Sequence, residues 1–478
     1  MTMREYDVVV IGAGSTGENV AARAVKGGLR AAIVESELVG GECSYWACMP
    51  SKALLRSIHA LTAAQSVSGA LQNGNGKLDV AAVLARRDAF ASHWKDSGQV
   101  KWLKRANIDL IRGQARLAGE RKLSVTDKSG ANLDLIARHA VAICTGSRAA
   151  IPPIPGLAEA RPWASREATS AKTAPQRLVI LGGGVVACEM ATAWRHLGSE
   201  AITIIQRGLR LIPNYEPFAS DMLKNSLERS GVRILTGATT QRVERSPDGS
   251  VQVFLNDGQT ILADEILVAT GRQPRTDDLG LETVGLKPSS WLEVDDSMQV
   301  RGVSGGWLYA AGDVNHRTLL THMGKYQARV CGNVIAARAS GKSNDDIPAP
   351  WSRYAATADG VAVPQVIFTD PEIASVGLTE AQANVRGLQV RAVDYDIGRV
   401  AGATLYADGY SGQARMIVDE KRGVIVGMTL VGASVGELIH AATIAIVGEI
   451  PLARLWHAVP AYPTISEIWL RLLETRGR

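Results

Sequence analysis

The 478-residue chain is 46% hydrophobic and 21% charged and carries 48 glycines, a composition that excludes a disordered or fibrous protein and calls for more than one hydrophobic core. Its 52 basic and 47 acidic residues leave a formal charge of +5 spread without a basic block, which excludes an electrostatic grip on nucleic acid or an anionic membrane. There is no run of 18 apolar residues, Val8 to Ile11 is too short for a signal-peptide core, and the five cysteines are an odd number for a secreted scaffold, so a soluble cytoplasmic protein is expected.

From the N-terminus, the apolar strand Val8 to Ile11 runs into Gly12, Gly14 and Gly17 and then a helix. That spacing allows a tight turn, close approach of a pyrophosphate and tight helix packing, and the helix N-terminus offers unpaired N–H groups to the phosphate. Glu35 closes the next strand, where a carboxylate can accept the hydroxyls of an adenosine ribose. Cys43 and Cys48 follow. Five residues apart in one ideal helix, their Cα atoms would be roughly 8.6 Å apart, too far for a disulfide. Cys43 is therefore expected in the glycine-led approach of Gly40 and Gly41, and Cys48 near the first helical turn, where the dipole favours a thiolate.

A long helix is expected from about Ala81 to Arg105, then a strand from Ala140 ending in Thr145-Gly146. The proline-rich Ile151 to Gly156 reads as a connector. The pattern then repeats from Arg177 to Arg207, with Gly182, Gly184 and Ala187 after the strand, and a further strand from Glu265 ends at Gly271. Where an NAD site usually has an acid, this copy has Gln206-Arg207, so Arg207, with Arg210, is expected to grip a 2′-phosphate and to favour NADPH over NADH; the alternative is that both arginines are simply solvated.

Trp307 to Asp313 reads as a strand ending in Gly312-Asp313. Beyond it, strands at Val363 to Phe368 and Ala414 to Val418 and helices at Gly436 to Val447 and Ile465 to Glu474 suggest an α+β domain. The expected fold is α/β, with two Rossmann-like dinucleotide-binding domains and a C-terminal α+β dimerisation domain. Its expected segments are 1–150 and 276–347 for FAD, 151–275 for NAD(P)H and 348–478 for the interface. Cys144, Cys188 and Cys331 read as inert, and no Cys or His cluster has metal-ligand spacing.

The stretch GGECSYWACMPSK, residues 40 to 52, resembles the active-site signature of the class I pyridine nucleotide-disulfide oxidoreductases, the family of glutathione reductase, lipoamide dehydrogenase and mercuric reductase. The resemblance covers nearly the whole chain, through Thr145-Gly146, Gly182 to Glu189, Thr270-Gly271-Arg272, Gly312-Asp313 and Phe368 to Gly377. It implies a homodimer with active sites shared between subunits, and electron flow from NAD(P)H through FAD to the Cys43–Cys48 disulfide and a small acceptor. By the same match Cys43 would face substrate and Cys48 the flavin. Gly41 would line the FAD site, Lys52 and Glu189 would pair near the flavin, Asp313 would bind the ribityl chain and Thr321 would lie near the isoalloxazine.

One departure bears on chemistry. The family's C-terminal segment reads His-Pro-Thr followed by a glutamate; here it reads Tyr462-Pro463-Thr464, with Glu467 kept. A phenol, titrating ordinarily near about 10, is a poor base at neutral pH but can donate a hydrogen bond. His457 is the other candidate, against the reading that it only packs beside Trp456. Tyr45 and Trp46 stand where many relatives have smaller side chains, either narrowing the entrance or filling core. The absence of further cysteines near the termini sets the chain apart from mercuric reductase and large thioredoxin reductase. The expected acceptor is a low-molecular-weight disulfide, the alternative a quinone, a metal ion or a carbonyl compound.

Overall fold

Tyr6, Val8, Val9 and Val10 are each at most 2% exposed, as a parallel strand covered on both faces requires. The strand they belong to, Thr2–Ile11, is central to a seven-stranded sheet in a computed structural model that describes residues 2–70, 76–342 and 349–477. On one side it pairs in parallel with Ala31–Glu35, which pairs with Ile108–Arg112. On the other it pairs with Asn132–Ile143, which also carries Leu308–Ala310 and the antiparallel strand Lys122–Thr126; Gln114–Leu117 follows at the edge. This sheet belongs to one of two compact units, built from residues 1–50, 88–150 and 272–359.

Within that unit the helices Ser15–Lys26 and Thr321–Ala339 pack side by side because glycine removes what would separate them. A Cβ on Gly332 would lie 2.4 Å from the Arg23 Cβ, and one on Gly324 would lie 2.5 Å from Thr16 Oγ1. The helix expected from 81 to 105 is broken. It runs from Val80 to Phe90 and resumes from Ser97 to Arg105, while Ser92, His93 and Trp94 between them adopt left-handed backbone angles. The break turns the Trp94 indole to donate to the Tyr45 carbonyl at 3.1 Å, and Asp96 accepts from the Val39 N–H at 2.9 Å. Tertiary contacts override local propensity there.

The second unit comprises residues 51–87, 151–271 and 360–478. A parallel sheet of Val232–Thr236, Ala201–Gln206, Arg177–Leu181 and Glu265–Val268 is the second Rossmann-like layer, accompanied by a three-stranded antiparallel sheet over residues 240–263. The C-terminal part is an antiparallel sheet ordered Gln365–Ile367, Glu372–Gly377, Val424–Gly432, Gln413–Asp419, Val390–Asp396, with helices Ile439–Val447 and Ile468–Arg476. Both helices start about three residues later than expected, since Val435–Glu437 and Ile465–Glu467 form tighter 3-10 turns. The strand expected from Val363 to Phe368 spans Gln365–Ile367. The α/β class with a C-terminal α+β domain holds. Among the described residues no helix is long and apolar enough to cross a membrane.

Candidate active site

The first dinucleotide cradle follows from steric demands on its glycines. A Cβ on Gly12 would lie 2.6 Å from the Cys144 carbonyl oxygen, and one on Gly17 would lie 1.9 Å from the Gly12 carbonyl oxygen, so neither position admits a side chain. Gly14 is open to within 3.9 Å of the Gly41 Cα and caps the helix Ser15–Lys26 without any side-chain hydrogen bond, which leaves its first N–H groups available to a phosphate. The Glu35 carboxylate is oriented by the N–H groups of Ala13 and Glu37, both at 2.7 Å, and burial raises its pKa.

Gly312 and Asp313 are in the same unit. The Asp313 carboxylate accepts from Ser147 Oγ at 2.5 Å, and Arg272 Nε donates to that hydroxyl at 2.6 Å. Thr145 Oγ1 is buried without a hydrogen-bond partner among the described residues, and Gly146 faces open space. An uncapped helix, an oriented carboxylate and an orphaned hydroxyl fit FAD. Ser147 was not singled out from sequence, its signal being adjacency to Thr145-Gly146, and Arg272 was legible only as part of the matched Thr270-Gly271-Arg272.

Cys43 is in the approach led by Gly40 and Gly41, as expected, and that approach closes into a one-turn helix of its own, Gly41–Tyr45. Cys48 opens the helix Cys48–Gln65, so the two thiols are on separate helices. The pair is in the dithiol form. Thr321 Oγ1 is 3.1 Å from Cys48 Sγ. The Cys43 pKa is held well above the ordinary thiol value, first by its hydrogen bond to Cys48 and then by burial, with Thr321 and Lys325 opposing. Glu42, beside Cys43, pairs with Arg275 at 2.9 Å. Tyr45 is fully buried, donates to the Val39 carbonyl at 2.9 Å and meets Trp46 edge-on at 5.6 Å, so it is a core residue and not a gate.

The helix that starts at Cys48 carries Lys52 one turn later, in the second unit. There Lys52 Nζ is 2.7 Å from Glu189 Oε2, a carboxylate only 4% exposed. Glu189 also accepts from the Phe368 N–H at 3.0 Å, and the ammonium is 5.0 Å from the centre of the Phe368 ring. A buried carboxylate needs this degree of compensation. Phe368 as partner was legible only as part of a matched motif.

The second cradle repeats the first. A Cβ on Gly182 would lie 2.4 Å from the Ala269 carbonyl oxygen, while Gly184 is open and caps the helix Val185–His196 with no side-chain bond. Gly271, with φ of +150°, follows the strand Glu265–Val268. Arg207 and Arg210 are exposed just beyond Ala201–Gln206, and neither forms an ion pair among the described residues.

In the C-terminal domain Tyr462 is 75% exposed, and Val459 is 84% exposed. Glu467 is buried, one oxygen bound to Arg471 at 2.5 Å and the other without a partner among the described residues. His457 is exposed on the single chain. Cys144, Cys188 and Cys331 are buried, as expected of inert thiols, and burial raises the pKa of each. Among the described residues no cluster of three or more His, Cys, Asp or Glu could hold a metal ion.

Comparison with known proteins agrees with this architecture. Residues 6–341 match the model of the pyridine nucleotide-disulphide oxidoreductases, and residues 363–472 match that family's dimerisation domain. A mercuric reductase of Staphylococcus aureus is 32% identical over 467 residues, covering 97% of this chain and 81% of its own. A dihydrolipoyl dehydrogenase of Bacillus subtilis is 31% identical over 475 residues, covering 98% and 96%. Among solved structures, the HOCl-induced flavoprotein disulfide reductase RclA from Escherichia coli matches with a TM-score of 0.81 at 25% identity, over 98% of this chain and 99% of its own. The chain belongs to the pyridine nucleotide-disulphide oxidoreductase family, and it is an oxidoreductase with that family's dimerisation domain at its C-terminal end.

Proposed function

We propose that the protein is a homodimeric reductase that passes electrons from NADPH through FAD to the Cys43–Cys48 disulfide and on to a small acceptor, a low-molecular-weight disulfide. The observation that carries this reading is the cysteine pair on two consecutive helices, Gly41–Tyr45 and Cys48–Gln65, with Thr321 Oγ1 at 3.1 Å from Cys48 Sγ. FAD held at the first cradle would supply two-electron transfer between the nicotinamide and the disulfide. Two electrons and one proton break the S–S bond and leave Cys43 as thiol and Cys48 as thiolate. Cys43 must then lose its proton to attack an acceptor disulfide, because the thiolate is the nucleophile. The exposed arginines Arg207 and Arg210 support NADPH as the reductant.

The lack of a histidine at position 462 bears on that last proton. If Tyr462 of one subunit faces Cys43 of the other, its hydroxyl can orient or protonate an acceptor but does not readily take the thiol proton at neutral pH. This favours a second reading, in which the acceptor is a quinone, a metal ion or a carbonyl compound; the mercuric reductases among the relatives support the metal ion. Steady-state assays with NADPH against a panel of disulfides, quinones and metal ions separate the readings. Under the first, Tyr462→His raises disulfide turnover at least about tenfold and Tyr462→Phe lowers it. Disulfide turnover that neither substitution changes would remove Tyr462 from the chemistry and make His457 the residue to test.

A further inference from the structure

Behind the Gly312–Asp313 turn runs a chain of buried hydrogen bonds. Gly312, with φ of +82°, donates its N–H to Gln327 Oε1 at 2.8 Å, and Asn315 Nδ2 donates to the same oxygen at 2.9 Å. Two donors on that oxygen fix which way the amide points. Its nitrogen therefore faces acceptors, Asp359 Oδ2 at 2.9 Å and Thr318 Oγ1 at 3.2 Å. Gln327 is 0% exposed and the Asp359 side chain 2% exposed, so water does not substitute for either partner.

Asp359 also accepts from Arg317 Nε at 2.9 Å, and Arg317 reaches Asp296 at 2.8 Å. Tyr326, on the same helix as Gln327, also faces Asp359, and its hydroxyl donates to the Ala355 carbonyl at 3.2 Å. Asp359 Oδ1 has no partner among the described residues.

We propose that Gln327 and Asp359 are positioning residues for the flavin. The Gln327 amide holds the Gly312 N–H and with it the Asp313 carboxylate, and Asp359 fixes the orientation of that amide. The inference rests on the reading that Asp313 faces bound FAD. Burial pushes the Asp359 carboxyl up to about 6 against the pull of Arg317, so above neutrality it is the ionised acceptor that the Gln327 amide requires. A glutamine that merely filled space would leave flavin affinity independent of its hydrogen-bonding character.

The test is the FAD dissociation constant of the purified holoprotein, read from the fluorescence of released flavin between pH 5.5 and 8. Gln327→Glu opposes two carboxylates, so at pH 8 the dissociation constant should rise about tenfold, and it should return toward wild type at pH 5.5 as the pair takes up a proton. Adding Asp359→Asn removes the opposing carboxylate and should bring binding back toward wild type at pH 8. Gln327→Met, close in shape but without the amide, should lose about tenfold at every pH. Equal affinity of wild type, Gln327→Glu and Gln327→Met across the range overturns the proposal, as does failure of Asp359→Asn to rescue. If Gln327→Glu does not fold, the Gln327→Met result alone decides. A wild-type protein that takes up no FAD overturns the flavin reading itself, an outcome distinct from variants that bind as wild type does.

Discussion

Glu18, on the first dinucleotide helix, shows how burial and pairing compete at one side chain. Its Oε1 is buried with no hydrogen-bond partner among the described residues, and burial pushes the carboxyl pKa up to about 7, with Lys325 pulling it down and Glu35 pushing it up. Because the folded value is raised, the native state holds this proton more tightly than the unfolded chain. The contribution to stability is therefore greatest at acid pH and is lost as pH rises from about 4.5 to about 7. Glu18→Gln should remove that loss and make the protein more stable than wild type above pH 7 by roughly 3 kcal/mol, while changing little at pH 4.5. Denaturant unfolding of both proteins at pH 5 and pH 8.5 checks this. A stability difference that does not grow with pH would contradict it. No feature of the sequence marked Glu18, since nothing in the strand-turn-helix pattern says which side of the helix lacks solvent. Gly12, Gly14 and Gly17 were legible because their spacing after a strand is itself the signal, and at Gly17 the constraint is local, a Cβ meeting the Gly12 carbonyl oxygen. Ser147 and Gln327 were not, because each acts on a partner from another element.

The pair of helices Ser15–Lys26 and Thr321–Ala339 illustrates the same limit among elements. The first was legible from sequence, but its contact with the second depends on glycines that carry no periodic signal. Gly332→Ala would place a Cβ 2.4 Å from the Arg23 Cβ and 2.9 Å from the Val20 carbonyl oxygen. The helices must separate to admit it, at a cost of about 1–3 kcal/mol. Thermal unfolding should show a lower midpoint for Gly332→Ala, whereas Gly98→Ala, also in a helix but with open space around it, should not lower it. An unchanged midpoint for Gly332→Ala would mean that the helices are not in close contact. The break at residues 92–94 was missed for a related reason. The helical pattern from 81 to 105 is continuous in sequence, and the interruption comes from the Trp94 contact with Tyr45. The C-terminal helices begin late because their first residues fold into tighter turns that composition does not distinguish from a helix.

The molecule joins two dinucleotide sites of different character, and the difference lies in charge. The first places Glu35 at the end of its second strand, while the second places Gln206 and the exposed Arg207 there. Arg207→Glu should therefore raise the Michaelis constant for NADPH at least about tenfold and leave that for NADH within about threefold, since only the former carries a 2′-phosphate. Equal constants for both nucleotides in the wild-type enzyme would contradict the assignment. The central claim, that electrons reach an acceptor through Cys43 and Cys48, is tested most directly by anaerobic titration of the yellow holoprotein with NADPH while counting alkylatable thiols and recording long-wavelength absorbance. One equivalent of NADPH should expose two thiols at Cys43 and Cys48, with an absorbance band that Cys48→Ser abolishes and Cys43→Ser retains. A flavin that bleaches while the disulfide stays intact, or a band that survives Cys48→Ser, would contradict the account.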